Sequence, residues 1–176
     1  MRLHVVLFQP EIPQNTGNIM RTCVGVGAKL HLIKPLGFSL DEKHLRRSAV
    51  DYYEFIEYEE YENFMDFKEK NPNAKIYFST RYGHKPLSSI DLTKSEDDIY
   101  LMFGCESSGI PYEILADNLD TCFRLPTNDK VRSLNLSNCV AVALFEALRQ
   151  LDYLDLLQEE PDTLKGANFL DQFKKN

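Results

Sequence analysis

Short runs of β-branched, aromatic and leucine residues alternate along this chain with longer stretches whose apolar residues recur at helical spacing. Leu3 to Phe8 predicts a strand, and the amphipathic stretch from about Thr16 to Gly27 predicts a helix. Lys29 to Ile33 predicts the next strand. A short charged helix around Asp41 to Arg47, a strand near Glu54 to Glu57 and a helix around Tyr61 to Lys70 are expected to follow. Further strands are expected at Lys75 to Ser79, Asp98 to Phe103 and Thr121 to Arg124. Pro111 opens a helix at a position where its missing N–H costs nothing, and Leu136 to Leu151 carries the longest helical pattern. Such alternation is the signature of an α/β fold, a mainly parallel sheet flanked by helices on both faces.

The pattern shows no repeat, no low-complexity segment and no Gly/Ser linker, so residues 1–154 are expected to form a single domain. Residues 155–176 are expected to form a loosely attached C-terminal tail, acidic at Glu159-Glu160-Pro161-Asp162 and closing on Lys174-Lys175-Asn176. A chain of 176 residues with 43% hydrophobic content can bury roughly 70% of its unfolded surface and needs neither disulfide nor metal as a staple. Cys23, Cys105, Cys122 and Cys139 are far apart, and no export signal or membrane-spanning run is visible. A soluble, cytoplasmic protein is expected.

The net charge of −7 excludes indiscriminate coating of nucleic acid, so any RNA contact must be local. Lys43, His44, Arg46 and Arg47 form one basic group, and Lys130 with Arg132 a second; either is equally well a solvated helix face or an ordinary polar loop. His4, His31, His44 and His84 are isolated and predict no metal site.

Ligands of open α/β sheets bind beyond the carboxyl ends of the strands, which directs attention to three loops. The first, Gln9 to Arg21, is a Pro- and Asn-rich turn leading into a helix, with Arg21 expected on its first turns beside free N–H groups; Asn15 or Thr16 is alternatively a simple N-cap. The second runs from Gly104 to Pro111. Its Gly104 is read as letting a ligand lie against the backbone, and its Glu106 as either pinning the loop or acting on a substrate. Cys105 has no neighbouring histidine to activate it as a nucleophile. The third, Leu125 to Ser137, is dense in small polar groups and suits main-chain contact with a flat heterocycle, with Asn135 and Ser137 fixing its shape, although Ser137 as a helix N-cap is the plainer account of that residue.

Three stretches, 15–21 (NTGNIMR), 103–111 (FGCESSGIP) and 132–138 (RSLNLSN), resemble in order and spacing the signature motifs of the SPOUT superfamily of RNA methyltransferases. The match extends from about Leu3 to Tyr153. It is narrowest to the short tRNA 2′-O-methyltransferases of cytidine or uridine 34, through Glu11-Ile12-Pro13 and Leu45-Arg46-Arg47, with Asp51-Tyr52 just after. The resemblance implies a C-terminal trefoil knot, S-adenosylmethionine held near Ser79, Thr80, Gly104, Leu125 and Ser133, and a ribose hydroxyl oriented by Arg21. It also implies that Asn15, Glu106, Asn135 and Ser137 shape the site, that the chain is a homodimer, and that the substrate is the anticodon region of tRNA. An rRNA ribose methyltransferase and a non-catalytic RNA-binding protein of the same fold are the alternatives it leaves.

Overall fold

A computed structural model describes residues 1–40, 52–154 and 156–174. Among them, the strands β1 (Leu3–Phe8), β2 (Lys29–Ile33), β3 (Tyr58–Tyr61), β4 (Lys75–Ser79), β5 (Ile99–Phe103) and β6 (Cys122–Phe123) form one six-stranded sheet. Their order is β3-β2-β1-β5-β4-β6, and every pairing is parallel. The sheet is flanked by helices α1 (Pro13–Val26), α2 (Phe64–Lys70), α3 (Tyr112–Ala116) and α4 (Leu136–Gln150).

β1 is buried at every position, which is what a central strand of a parallel sheet requires when helices cover both faces. Its side chains alternate: Val5 and Leu7 join α1 and α4 in one core, whereas Val6 and Phe8 join Phe67 of α2 and Leu115 of α3 in the other. On α4, Val140, Ala143, Leu144, Ala147 and Leu148 form one fully buried stripe at helical spacing. Each leucine there contributes roughly 1.5–3 kcal/mol by burial. The alanines allow α1 to pack alongside.

The strand expected near Glu54 to Glu57 lies instead at Tyr58–Tyr61, after a 3-10 turn over Tyr53–Phe55. This is an edge strand whose pairing is decided across the sheet, by Lys29–Glu59 and Lys34–Glu60 ion pairs and by burial of Tyr61 against β2. The following helix starts only at Phe64, because the Asn63 side chain accepts from the Asp66 N–H and caps it there. The helix expected from Thr16 begins earlier, at Pro13, and ends where Gly27 takes a left-handed conformation at φ 67°. The expected helix around Asp41 to Arg47, with the basic group that contains Lys43, His44, Arg46 and Arg47, lies outside the described residues.

A polar chain crosses the second core. His4 Nε2 lies 3.3 Å from Asp98, His4 Nδ1 lies 2.8 Å from His31 Nε2, and the Tyr61 hydroxyl lies 2.8 Å from His31 Nδ1 while accepting from Asn71. One donor per link satisfies every atom with both imidazoles neutral. Burial drives both histidines below their ordinary pKa of 6.5, His31 to about 3. Below pH 6.5 the unfolded chain therefore binds protons that the native chain refuses, so stability falls with acidification and is flat above that pH. Urea unfolding is expected to lose about 1–2 kcal/mol between pH 7.5 and 5.5. His31→Gln should flatten that slope; an unchanged slope would show that the pair does not carry it.

The strand order reverses between β1 and β5, so the loops leaving their carboxyl ends diverge there and open a crevice. All three loops singled out above lie at this end of the sheet.

Candidate functional site

A cavity of about 550 Å³ opens beyond β4, β5 and β6, within the range of roughly 300–1,000 Å³ usual for small-molecule sites. Ser79, Thr80, Gly104, Leu125 and Ser133 all line it, and so do Asn15, Glu106 and Asn135. Arg21 and Ser137 do not.

The loop after β5 turns back on itself. The Gly109 N–H donates to the Cys105 carbonyl at 3.0 Å, with Gly109 at φ +76°. Gly104 lines the cavity, and a Cβ there would lie 2.5 Å from Gly109 Cα and inside contact of the Ile110 nitrogen, so the chain's own return path demands glycine at this position. Burial acts to raise the Cys105 thiol pKa, but hydrogen bonding from Ser108 and Ser107 outweighs it and leaves the thiol below its ordinary value. Among the described residues no histidine lines the cavity to serve it as a base.

Glu106 pins two loops together. One oxygen accepts the Glu11 N–H at 2.8 Å; the other accepts the Ile12 N–H at 3.3 Å and the Asn15 amide at 2.8 Å. It thereby supplies the carboxylate that α1 lacks in its own first turn, since Ile12, the N-cap, offers no side-chain cap. Glu11 reciprocates by accepting from the Ser107 N–H at 2.9 Å and its hydroxyl at 2.7 Å. Sequence reasoning assigned no role to Glu11 beyond its place in the Glu11-Ile12-Pro13 match.

Asn15 extends the link to the third loop. Its Oδ1 accepts from Asn135 Nδ2 at 2.9 Å, and Asn135 Oδ1 accepts in turn from both the N–H and the hydroxyl of Ser137. Asn135, not Ser137, is therefore the N-cap of α4. Asn15 and Thr16 are buried inside α1 and cap nothing.

Arg21 stands eight residues after Pro13, inside α1 and not on its first turn, so free helix N–H groups do not accompany it. It is exposed, and its guanidinium lies 5.7 Å from the centre of the Tyr52 ring. At 1.5 Å per residue it is about 9 Å along the helix from Asn15.

The lining combines apolar walls and main-chain donors with the guanidiniums of Arg81, Arg124 and Arg132. Leu125, Leu134, Leu136 and Ile110 offer apolar walls, and among the described residues the N–H groups of Ser133 and Leu134 have no hydrogen-bond partner within the protein. No group of three or more His, Cys, Asp or Glu able to hold a metal occurs among the described residues, and no helix among them is long and apolar enough to cross a membrane.

Known proteins resemble this chain over most of its length. A tRNA (cytidine(34)-2′-O)-methyltransferase of Aeromonas hydrophila is 42% identical over 158 residues, covering 89% of this chain and 99% of its own. A solved structure described as giving insights into 2-OH methylation of C/U34 on tRNA superposes with a TM-score of 0.78 at 40% identity, over 86% of this chain and 97% of the other. An AdoMet-bound rRNA methyltransferase from Sinorhizobium meliloti gives 0.75 at 27% identity, over 85% of this chain and 57% of its own. The model of the SpoU rRNA Methylase family matches residues 2–145, and this chain belongs to that family.

Proposed function

We propose that this chain transfers a methyl group from S-adenosylmethionine to the ribose 2′-oxygen of tRNA nucleotide 34, a cytidine or modified uridine. The observation that carries this reading is the cavity closed by the Glu106–Asn15–Asn135 link, in which the three loops meet around main-chain donors. The names of the relatives support the substrate, and the AdoMet-bound relative supports the cofactor. An rRNA ribose is the second substrate class, favoured by the family description.

When bound, the cofactor supplies a methyl group made electrophilic by its sulfonium. The protein's part is then alignment. Ser79, Thr80, Gly104, Leu125 and Ser133 would line the bound cofactor, and Asn15, Glu106, Asn135 and Ser137 hold the three loops in register. Glu106 is a positioning residue, since both its oxygens are already occupied by donors at the start of α1. The Arg21 guanidinium orients an RNA phosphate and the hydroxyl, and removal of the hydroxyl proton is assisted by the RNA phosphate or by a further group.

Two structural features belong to the same proposal. The first is a C-terminal trefoil knot, for which the wrapping of residues 80–86 around the end of β6 is the local support: the Thr80 N–H donates to the Phe123 carbonyl and the Arg124 N–H to the Lys85 carbonyl, each at 2.9 Å. The second is a cytoplasmic homodimer that covers Val142 and Phe145, which are 49% and 51% exposed on the outer face of α4.

Labelled methyl transfer to total tRNA, followed by nuclease mapping, is expected to place the label on the ribose of nucleotide 34. Arg21→Ala should lower transfer by 10²-fold or more, with partial recovery in Arg21→Lys. Label confined to rRNA would replace the substrate, and full activity in both variants would remove Arg21 from the mechanism.

A further inference from the structure

Two exposed tyrosines line the cavity at its mouth. Tyr82 and Tyr112 meet there edge to face, with ring centres 5.6 Å apart and their hydroxyls 3.4 Å from each other. They are 51% and 63% exposed. Both are held by the backbone. Tyr82 sits in a turn where its own N–H donates to the Thr80 hydroxyl and the Gly83 N–H to the Thr80 carbonyl. That turn is clamped to the sheet, because a Cβ on Gly83 would lie 2.5 Å from the Phe123 carbonyl carbon. Tyr112 is fixed as the first residue of α3, directly after Pro111.

Around this pair stand Arg81, whose guanidinium lies 5.3 Å from the centre of the Tyr82 ring, and Arg124 and Arg132 on the cavity wall. Among the described residues none of these three arginines has a carboxylate within 4.0 Å. In a chain of net charge −7, three guanidiniums without a carboxylate partner among the described residues gather beside two exposed phenol rings. Rings offer stacking faces to any base and guanidiniums offer forks to phosphates, the combination that binds single-stranded nucleic acid.

We propose that the Tyr82–Tyr112 pair is a stacking platform for a nucleobase flanking the methylated nucleotide, and that Arg81, Arg124 and Arg132 hold the adjoining phosphates. This rests on the RNA ribose reading above and adds the surface that grips the loop. Unstacking the neighbour on the tyrosines leaves the target ribose free to enter the cavity beneath them.

The test uses the full chain with an anticodon stem-loop RNA that carries 2-aminopurine at nucleotide 33 or 35, together with steady-state methylation of the unlabelled RNA. Binding to the wild-type protein should change the 2-aminopurine fluorescence at one of the two positions, and Tyr112→Leu and Tyr82→Leu should abolish the change. Stacking is worth enough that the KM for RNA should rise about tenfold or more in either variant, with kcat and S-adenosylmethionine affinity held within about twofold. Tyr112→Phe, which keeps the ring, should recover the wild-type KM. An unchanged KM for RNA, or a defect confined to S-adenosylmethionine affinity, would overturn the platform. The two readings fail separately: wild-type protein that shows the fluorescence change but transfers no methyl to nucleotide 34 removes the proposed activity and leaves the platform standing. Transfer without any fluorescence change does the reverse.

Discussion

Gly104→Ala is expected to abolish S-adenosylmethionine binding and to lower the thermal midpoint by several degrees. The added methyl group would point into the backbone at Gly109 and Ile110, where no flexible side chain can move aside. Relief requires opening the turn closed by the Gly109 N–H to Cys105 carbonyl bond, and that turn forms one wall of the cavity. Overpacking of this kind costs typically 1–3 kcal/mol and more when backbone must shift. For a chain of this size that is roughly 2–12 °C in Tm. Calorimetric titration with S-adenosylmethionine, alongside a thermal scan, checks both parts. An alanine variant that binds the cofactor with wild-type affinity would mean that the loop accommodates the methyl group and that the close approach is not what shapes the site. Gly25→Ala is the control, since a Cβ there meets nothing within 4 Å.

The second large effect is expected at Glu106. The Ser137 N–H can only donate, so Asn135 must present its Oδ1 to Ser137 and its amide hydrogens to Asn15. Asn15 must then present its own amide hydrogens to Glu106, which also faces the N–H groups of Glu11 and Ile12. Position 106 is thus surrounded by donors and needs a group that only accepts. Glu106→Gln substitutes an amide for one of the two oxygens and sets donor against donor wherever that amide points. The expected outcome is a loss of about 1–3 kcal/mol in stability and a fall in kcat of about 100-fold, since ångström-scale misplacement of reacting groups costs that much. Because the residues act as one chain, Glu106→Gln combined with Asn135→Ala should lose much less than the product of the single effects. Multiplicative losses would show that Glu106 and Asn135 act independently, and near-wild-type kcat in Glu106→Gln would remove the positioning role.

The position of the site was legible because its markers are local. Short runs of β-branched, aromatic and leucine residues located most of the strands, and the polar loops after β1, β5 and β6 could then be read as the ligand-facing end of the sheet. Glu106 was legible as a carboxylate with two possible tasks, and only the donors at Glu11, Ile12 and Asn15 decide for pinning. The Tyr82–Tyr112 pair left no signal at all, since single tyrosines in two separate loops have no periodicity and their meeting depends on how the turn at Gly83 is seated on β6.

Taken by itself, the amino-acid order determined the α/β class, most strand positions, the long helical pattern of α4 and the three loops, all of which follow from propensity and spacing within a few residues. Tertiary structure alone decided the strand order, the placement of β3 on the edge at Tyr58–Tyr61, and the distance of Arg21 from the cavity. It also decided the direction of the hydrogen-bond chain that joins the loops. The physical reason is separation along the chain: Asn15 meets Glu106 across 91 positions and Asn135 across 120. Contacts that remote are selected by which faces of the sheet and helices bury together, and no local pattern encodes them.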